Sequence, residues 1–258
     1  MHSNNINKSL TSRHEAESKF HDQKYGHGDG YPPHYAVHPT YPLYLRMIDM
    51  AGDLSGKHVL EYGCGEGWIT KDLALKGAIV STFDISIEAV HRTCEVLKSA
   101  GVMNQCSVAQ MGAERLEYPA QSFDMVIGFA ILHHLDLDLA IPELYRVLKP
   151  GGMAYFAEPL SGNPFINLYR RLTPQYRTED EKPLDFKKLD PLLTKFSEIE
   201  HPDYYVTALA AIALVYLPFG HRFYPQFNER LMKIDDILLR RFPFLGRLAW
   251  YTILKLRK

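Results

Sequence analysis

Three groups of residues in this 258-residue chain have types and spacing suited to chemistry. The first is Glu61-Tyr62-Gly63-Cys64-Gly65-Glu66-Gly67. Its glycines let backbone approach a ligand closely and adopt φ values that other residues resist. Glu61, two positions before the first glycine, offers a carboxylate suited to a ligand's amino group. The second is Asp84, which stands about 20 residues beyond Gly65, the spacing expected of an acid that holds ribose hydroxyls. The third combines His133 and His134 with Glu158, groups able to take a proton near neutral pH. A dinucleotide fingerprint would need a glycine at position 68, where this chain has Trp68. Cofactors with a pyrophosphate, and with them a nicotinamide oxidoreductase, are therefore disfavoured.

These residues need elements to position them. The apolar run from His58 to Leu60 reads as a buried strand ending at Glu61, and Trp68 to Leu75 reads as a helix stopped by Gly77. A strand, glycine turn and helix present free N–H groups at the helix start. A second strand, Ile79 to Phe83, ends at Asp84. Ser86 caps a helix from Ile87 to about Ala100, closed by Gly101. Further strands are predicted over Val108 to Met111, Asp124 to Ala130 and Met153 to Ala157, with Asp138 capping a helix that ends at Lys149. Alternating strands and helices give a doubly wound sheet, and ligands sit at the carboxyl ends of its strands. Glu61, Asp84, Ala113, Phe129 and Glu158 all fall near such ends.

The glycine stretch resembles motif I of the class I methyltransferases that use S-adenosylmethionine (SAM). Further matches follow in order: Ser122-Phe123-Asp124-Met125-Val126, then Ile131-Leu132-His133-His134-Leu135, then Glu143-Leu144-Tyr145-Arg146-Val147-Leu148-Lys149-Pro150-Gly151-Gly152. Together they cover roughly residues 40 to 160, and the nearest flavour is the quinone-biosynthesis and small-molecule group. The resemblance implies a Rossmann-like α/β sheet of seven strands, mostly parallel with the last antiparallel. It implies SAM as cofactor, which suits Glu61 because SAM carries an ammonium and no phosphate. Cofactor contacts are expected from Glu61, Gly63, Cys64, Gly65, Asp84, Ile85, Ala113, Glu114 and the carbonyl of Phe129. Gly112 departs from the family, where an acid often holds the adenine amino group; the Ala113 backbone or the Glu114 side chain is left to serve instead. Methyl transfer is an in-line displacement governed by alignment. A base helps when the acceptor is a hydroxyl or a protonated amine, and His134 is placed ahead of His133 and Glu158 for that role. The bland alternatives are a histidine packed on the sheet, a histidine capping the next turn, and a structural bond from Glu158.

Outside residues 41–160 the chain divides into an arm, 1–40, and a completion of the sheet, 161–258, with an inserted helical cap at 206–241. The first 20 residues read as a polar tail. The His- and Tyr-rich stretch from Phe20 to Pro42 reads as a surface arm or as a flap over the cofactor; its histidines lack compact ligand spacing, so no metal is assigned. Helices are expected at Asn163 to Leu172 and Leu184 to Phe196, and strands at Phe196 to Tyr205 and Leu248 to Leu256. Val206 to Leu217 is apolar all round and must meet something apolar. It is too short for a span of about 20 residues. Pro225 to Arg241 is amphipathic and basic. The pair is open to three readings: a core-completing cap, a homodimer contact, or peripheral contact with a membrane through which an apolar acceptor loads. Net charge is −1, which invites no nucleic acid. The three cysteines lack C-x-x-C spacing, which argues against disulfides and structural zinc. A polar N-terminus gives a cytoplasmic expectation. The leading function is methyl transfer to a small apolar or aromatic acceptor; a noncatalytic SAM-binding or membrane-peripheral scaffold is the alternative.

Overall fold

The structure, a computed structural model, describes residues 12–23, 39–178 and 181–258. The His/Tyr-rich stretch 24–38 and most of the polar tail lie outside the described residues. Residues 12–23, expected to be the end of that tail and the start of the His/Tyr-rich arm, instead form helix α1.

Five parallel strands build the sheet: β1 His58–Tyr62, β2 Ile79–Asp84, β3 Cys106–Gln110, β4 Phe123–Phe129 and β5 Leu148–Pro159. Helices α2 Tyr41–Ala51, α3 Trp68–Leu75, α4 Ile87–Ser99 and α5 Leu137–Val147 alternate with them. The α3 bounds agree with the sequence reading. Ser86 caps α4 by accepting the Ala89 N–H, as expected. For α5 the cap is Asp136, not Asp138. Strand residues alternate between two cores, as period-two geometry requires. Val59, Met125, Ile127, Tyr155 and Ala157 face one core, with α2 and α3. Leu60, Tyr62, Val126, Ala154 and Phe156 face the other, with α5. Covering both faces makes these strands nearly all apolar, and each fully buried large side chain contributes about 1.5–3 kcal/mol.

The sheet order is β3-β2-β1-β4-β5-β8-β6, with β8 Tyr251–Arg257 antiparallel to its neighbours. The expected seven strands become eight because the predicted strand at 196–205 is split into β6 Glu198–Glu200 and β7 Asp203–Tyr204. Pro202 lies between them. It has no N–H to donate, and its carbonyl instead accepts from Ile253 N–H at 3.0 Å and the Thr252 hydroxyl at 3.1 Å. The helix expected at 184–196 shrinks to α7 Phe186–Leu189 and one 3₁₀ turn that begins just ahead of Pro191.

α6 Pro164–Leu172 and α8 Gly220–Arg241 complete the α-helices among the described residues. The apolar stretch before α8 winds as a 3₁₀ helix, Ala208–Tyr216, rather than an α-helix. Both its ends are pinned. The buried Asp235 carboxylate of α8 accepts the N–H groups of Val206, Thr207 and Ala208 at 2.7–3.0 Å. At the other end Gly220 N–H bonds Leu217 O at 3.0 Å. The longer rise of 3₁₀ winding, about 2.0 Å per residue, lets the segment span these anchors.

Candidate active site

The carboxyl ends of β1 and β2 are locked together by one side chain. Asp84 accepts Gly65 N–H on Oδ2 and Ser86 N–H on Oδ1, each at 3.0 Å. Burial pushes its carboxyl up, and those two N–H groups oppose the shift. Gly63, Cys64, Gly65, Asp84 and Ile85 all line one large cleft.

Glu61 does not line that cleft. It sits behind the glycine loop, 1% exposed, and accepts the Thr70 hydroxyl of α3 at 2.5 Å. Its Oε1 has no partner among the described residues. Burial pushes its carboxyl from the ordinary 4.5 to about 8, with Thr70 and Thr82 opposing. The folded chain therefore holds a proton that the unfolded chain releases in that window, so this group's contribution to stability falls as pH rises from about 4.5 to about 8. Glu61→Gln is expected to flatten the decline relative to wild type. Denaturant melts at a series of pH values check this, and parallel curves for the two proteins would contradict it.

The far wall is aromatic. Trp68 stacks edge-on to Tyr44 at 4.7 Å between centroids, and Phe129 lies 6.4 Å from both Trp68 and Tyr251. Trp68, which breaks the dinucleotide pattern, thus joins a wall of rings. Ala113 and Glu114 follow β3 and also line the cleft. The Glu114 carboxylate is already taken: Oε2 pairs with His14 of α1 at 3.0 Å and Oε1 accepts Asp136 N–H at 3.1 Å. This leaves the Ala113 backbone as the more available adenine contact. It also accounts for Gly112, since a Cβ there would stand 2.7 Å from the His14 ring.

Helix α1 crosses this cleft and is held there by polar contacts. Ser18 donates to the Ile85 carbonyl at 3.2 Å, and Asp22 accepts the Ser86 hydroxyl at 2.5 Å. Glu17 is buried and accepts the Thr178 hydroxyl at 2.5 Å.

The histidine pair follows β4 on a 3₁₀ turn, Leu132–His134. Glu158, fully buried at the end of β5, accepts Ile131 and Leu132 N–H on Oε1, both at 2.8 Å, and His133 Nδ1 lies 2.7 Å from its Oε2. A carboxylate at that distance accepts a hydrogen bond from Nδ1–H, which fixes that tautomer and leaves Nε2 with the free lone pair. Glu158 is thereby spent on holding the turn and the ring, which makes it a positioning residue rather than a base. His134 stands apart, its Nδ1 3.4 Å from Glu17 Oε2. Burial first, and His133 beside it, push His134 down to about 4, with Glu17 opposing. A nitrogen so weakly basic is a poor proton acceptor at neutral pH, so the geometry favours His133 over His134. Burial alone would raise the Glu17 carboxyl, but the His134 and His21 rings hold it well below the usual carboxylate range.

The cleft encloses about 1740 Å³, more than the roughly 300–1,000 Å³ of a single-ligand site. It has room for a cofactor and an acceptor together. Residues 60–156 match the family described as a methyltransferase domain. Over those residues this chain is similar to that methyltransferase domain. Around it, a ubiquinone biosynthesis O-methyltransferase of Pseudomonas putida is 35% identical over 148 residues, which is 54% of this chain and 60% of that protein. The chain thus spans about three-fifths of the curated relatives it matches. Among solved structures, a Haemonchus contortus phosphoethanolamine N-methyltransferase aligns at TM-score 0.61 and 18% identity, over 84% of this chain and 52% of that one. A [4+2]-cyclase, SpnF, aligns at TM-score 0.54 and 22% identity, over 83% and 80%. These structural likenesses share the methyltransferase domain's fold, and the cyclase shows that the fold alone does not name a reaction.

The sequence reading missed α1. Its docked residues, His14, Glu17, Ser18, His21 and Asp22, recur at helical spacing, but the stripe is polar. A search for apolar periodicity passes over it.

Proposed function

We propose that this chain transfers a methyl group from SAM to a hydroxyl on a small aromatic acceptor. Residues 41–160 hold the cofactor, α1 closes over it, and residues 161–258, with the cap at 206–241, shape the acceptor side. When bound, SAM supplies a sulfonium-activated methyl. Gly63 and Gly65 bring backbone against the ligand, and Asp84 retains lone pairs for ribose hydroxyls. Ile85 and Ala113 flank the adenine position, and the Phe129 carbonyl and aromatic wall suit a cationic amino-acid end. Glu61 acts from behind, by fixing α3 through Thr70. His133 Nε2 takes the acceptor proton while Glu158 fixes the ring. The single observation that carries this reading is the Glu158–His133 contact at 2.7 Å, with His133 lining a cleft large enough for two ligands. The O-methyltransferase names of the relatives support the choice of a hydroxyl.

The test is incubation of the full chain with SAM and a panel of phenols and catechols. S-adenosylhomocysteine (SAH) and products heavier by one methylene are expected. SAH no higher than in acceptor-free controls across the panel would count against the reading.

Exposed apolar side chains on α6 and around the start of α8 favour loading of the acceptor from a membrane surface. Phe165, Leu172, Phe219 and Phe223 are 62–74% exposed. The exposed Arg171, Arg222 and Arg230 lie in the same helices. No helix among the described residues is long and apolar enough to cross a membrane, so the contact proposed is peripheral. The chain is expected to co-sediment with anionic vesicles at low salt, and Phe219→Asp with Phe223→Asp to release it. A chain that stays in the supernatant as a concentration-dependent dimer would assign these side chains to self-association instead.

A further inference from the structure

Glu17 and His21 are one helical turn apart on α1, and His134 comes to them from the turn after β4. Glu17 Oε2 lies 3.4 Å from His21 Nε2 and 3.4 Å from His134 Nδ1. The three donor atoms all lie within 4.8 Å of one another. We propose that Glu17, His21 and His134 form a divalent transition-metal site, of the kind zinc occupies, which is completed when α1 docks over the cleft.

Three observations carry the proposal. The first is spacing. Zinc bonds of about 2.0–2.1 Å in a tetrahedral site set neighbouring donor atoms roughly 3.3 Å apart. The two 3.4 Å edges match that, and they exceed the ordinary N–H···O range of about 2.7–3.2 Å. The second is unmet bonding. Glu17 is 5% exposed, yet its Oε2 accepts no hydrogen bond, and His134 Nδ1 has no hydrogen-bond partner among the described residues. Buried polar atoms are rarely left so, and one cation between them satisfies both. The third is ligand chemistry. Two imidazoles and a carboxylate form the three-ligand set of zinc sites that keep an open position. All three residues line the cleft, so the position they leave is open to it.

A neighbouring trio, His133, His134 and Glu181, also falls within ligand distance. Its members are committed elsewhere: His133 to Glu158 at 2.7 Å and Glu181 to Arg170 at 2.6 Å. In the Glu17 trio, Glu17 Oε2 and His134 Nδ1 are without hydrogen-bond partners among the described residues.

A metal there would clamp α1 across the cofactor cleft. Its remaining position would take water or an oxygen donor of a bound acceptor. The site stands on α1 and the β4 turn alone, so it holds whether or not the chain transfers methyl groups.

The test uses the full chain after stripping with a chelator. Titration with Zn²⁺ is expected to give one ion per chain, and Co²⁺ to give the visible bands of a tetrahedral nitrogen–oxygen site. His21→Ala and Glu17→Gln should each weaken Zn²⁺ binding by more than the roughly 100-fold that loss of a group behind a ligand costs. The melting temperature of the metal-free chain should change little, because α1 lies outside both cores. Three results would overturn the site: no stoichiometric Zn²⁺ uptake by wild type, unchanged affinity in both variants, or a thiolate-to-cobalt charge-transfer band. That band would place the ion on Cys64, Cys94 or Cys106, and it is read on wild type without any variant.

Discussion

Gly65→Val is expected to abolish binding of SAH. Gly65 has φ +48°, in the left-handed region, and its N–H is held by Asp84. A left-handed backbone costs an L-residue about 1–2 kcal/mol, and a β-branched side chain is a clear outlier there. Valine must either strain the loop or unwind it. Unwinding releases Gly65 N–H from Asp84 and dismantles the wall of the cofactor cleft. The added isopropyl group also occupies the space in which backbone meets ligand. Asp84→Ala acts on the same lock from the other side. It removes the proposed ribose acceptor and strands two N–H groups, so a loss of about 1–3 kcal/mol in affinity is expected. Calorimetry with SAH reads both variants. Wild-type affinity in either one would move the cofactor away from this loop. The two large sheet cores lie outside the loop, so circular dichroism should remain that of the wild type.

His133→Ala is expected to lower turnover by about 10²–10⁴-fold with cofactor affinity nearly intact. His133 lines the cleft with its Nδ1 held at 2.7 Å by the buried Glu158 carboxylate. Glu158→Gln should cost less than His133→Ala, because an amide still accepts backbone N–H groups while losing its charge behind the ring. A purely structural role for His133 would reduce turnover and thermal stability together. A proton-transfer role reduces turnover alone and makes the loss depend on the acceptor's acidity: an acidic phenol that arrives ionised should be methylated almost normally by the alanine variant. His134→Ala should remove metal binding at the Glu17 site.

The strand, glycine turn and helix over residues 58–75 were legible in sequence because their signals are local. An apolar run, three glycines and a helix stop need nothing from the rest of the chain. The Ser86 cap was legible for the same reason. Direction of burial was not. Glu61 stands where an acid near a ligand was expected, but period-two alternation turns it to the face that meets Thr70, behind the loop. The ranking of the histidines also depended on distance. His133 and His134 are adjacent in sequence, and only the position of Glu158, 25 residues on, decides which ring is held. Helix α1 was illegible because its partners are remote: Glu17 meets Thr178 across 161 residues. The split of the sixth strand was written in Pro202, whose missing donor interrupts a ladder that composition alone would continue.

The cofactor claim stands or falls on one titration. Calorimetry of the intact wild-type chain with SAH, run beside an identical titration with NADH, is predicted to show one site per chain for SAH and no heat for NADH. The absence of SAH binding by a folded chain, or saturable binding of NADH in its place, would contradict the assignment of residues 41–160 as a site for SAM.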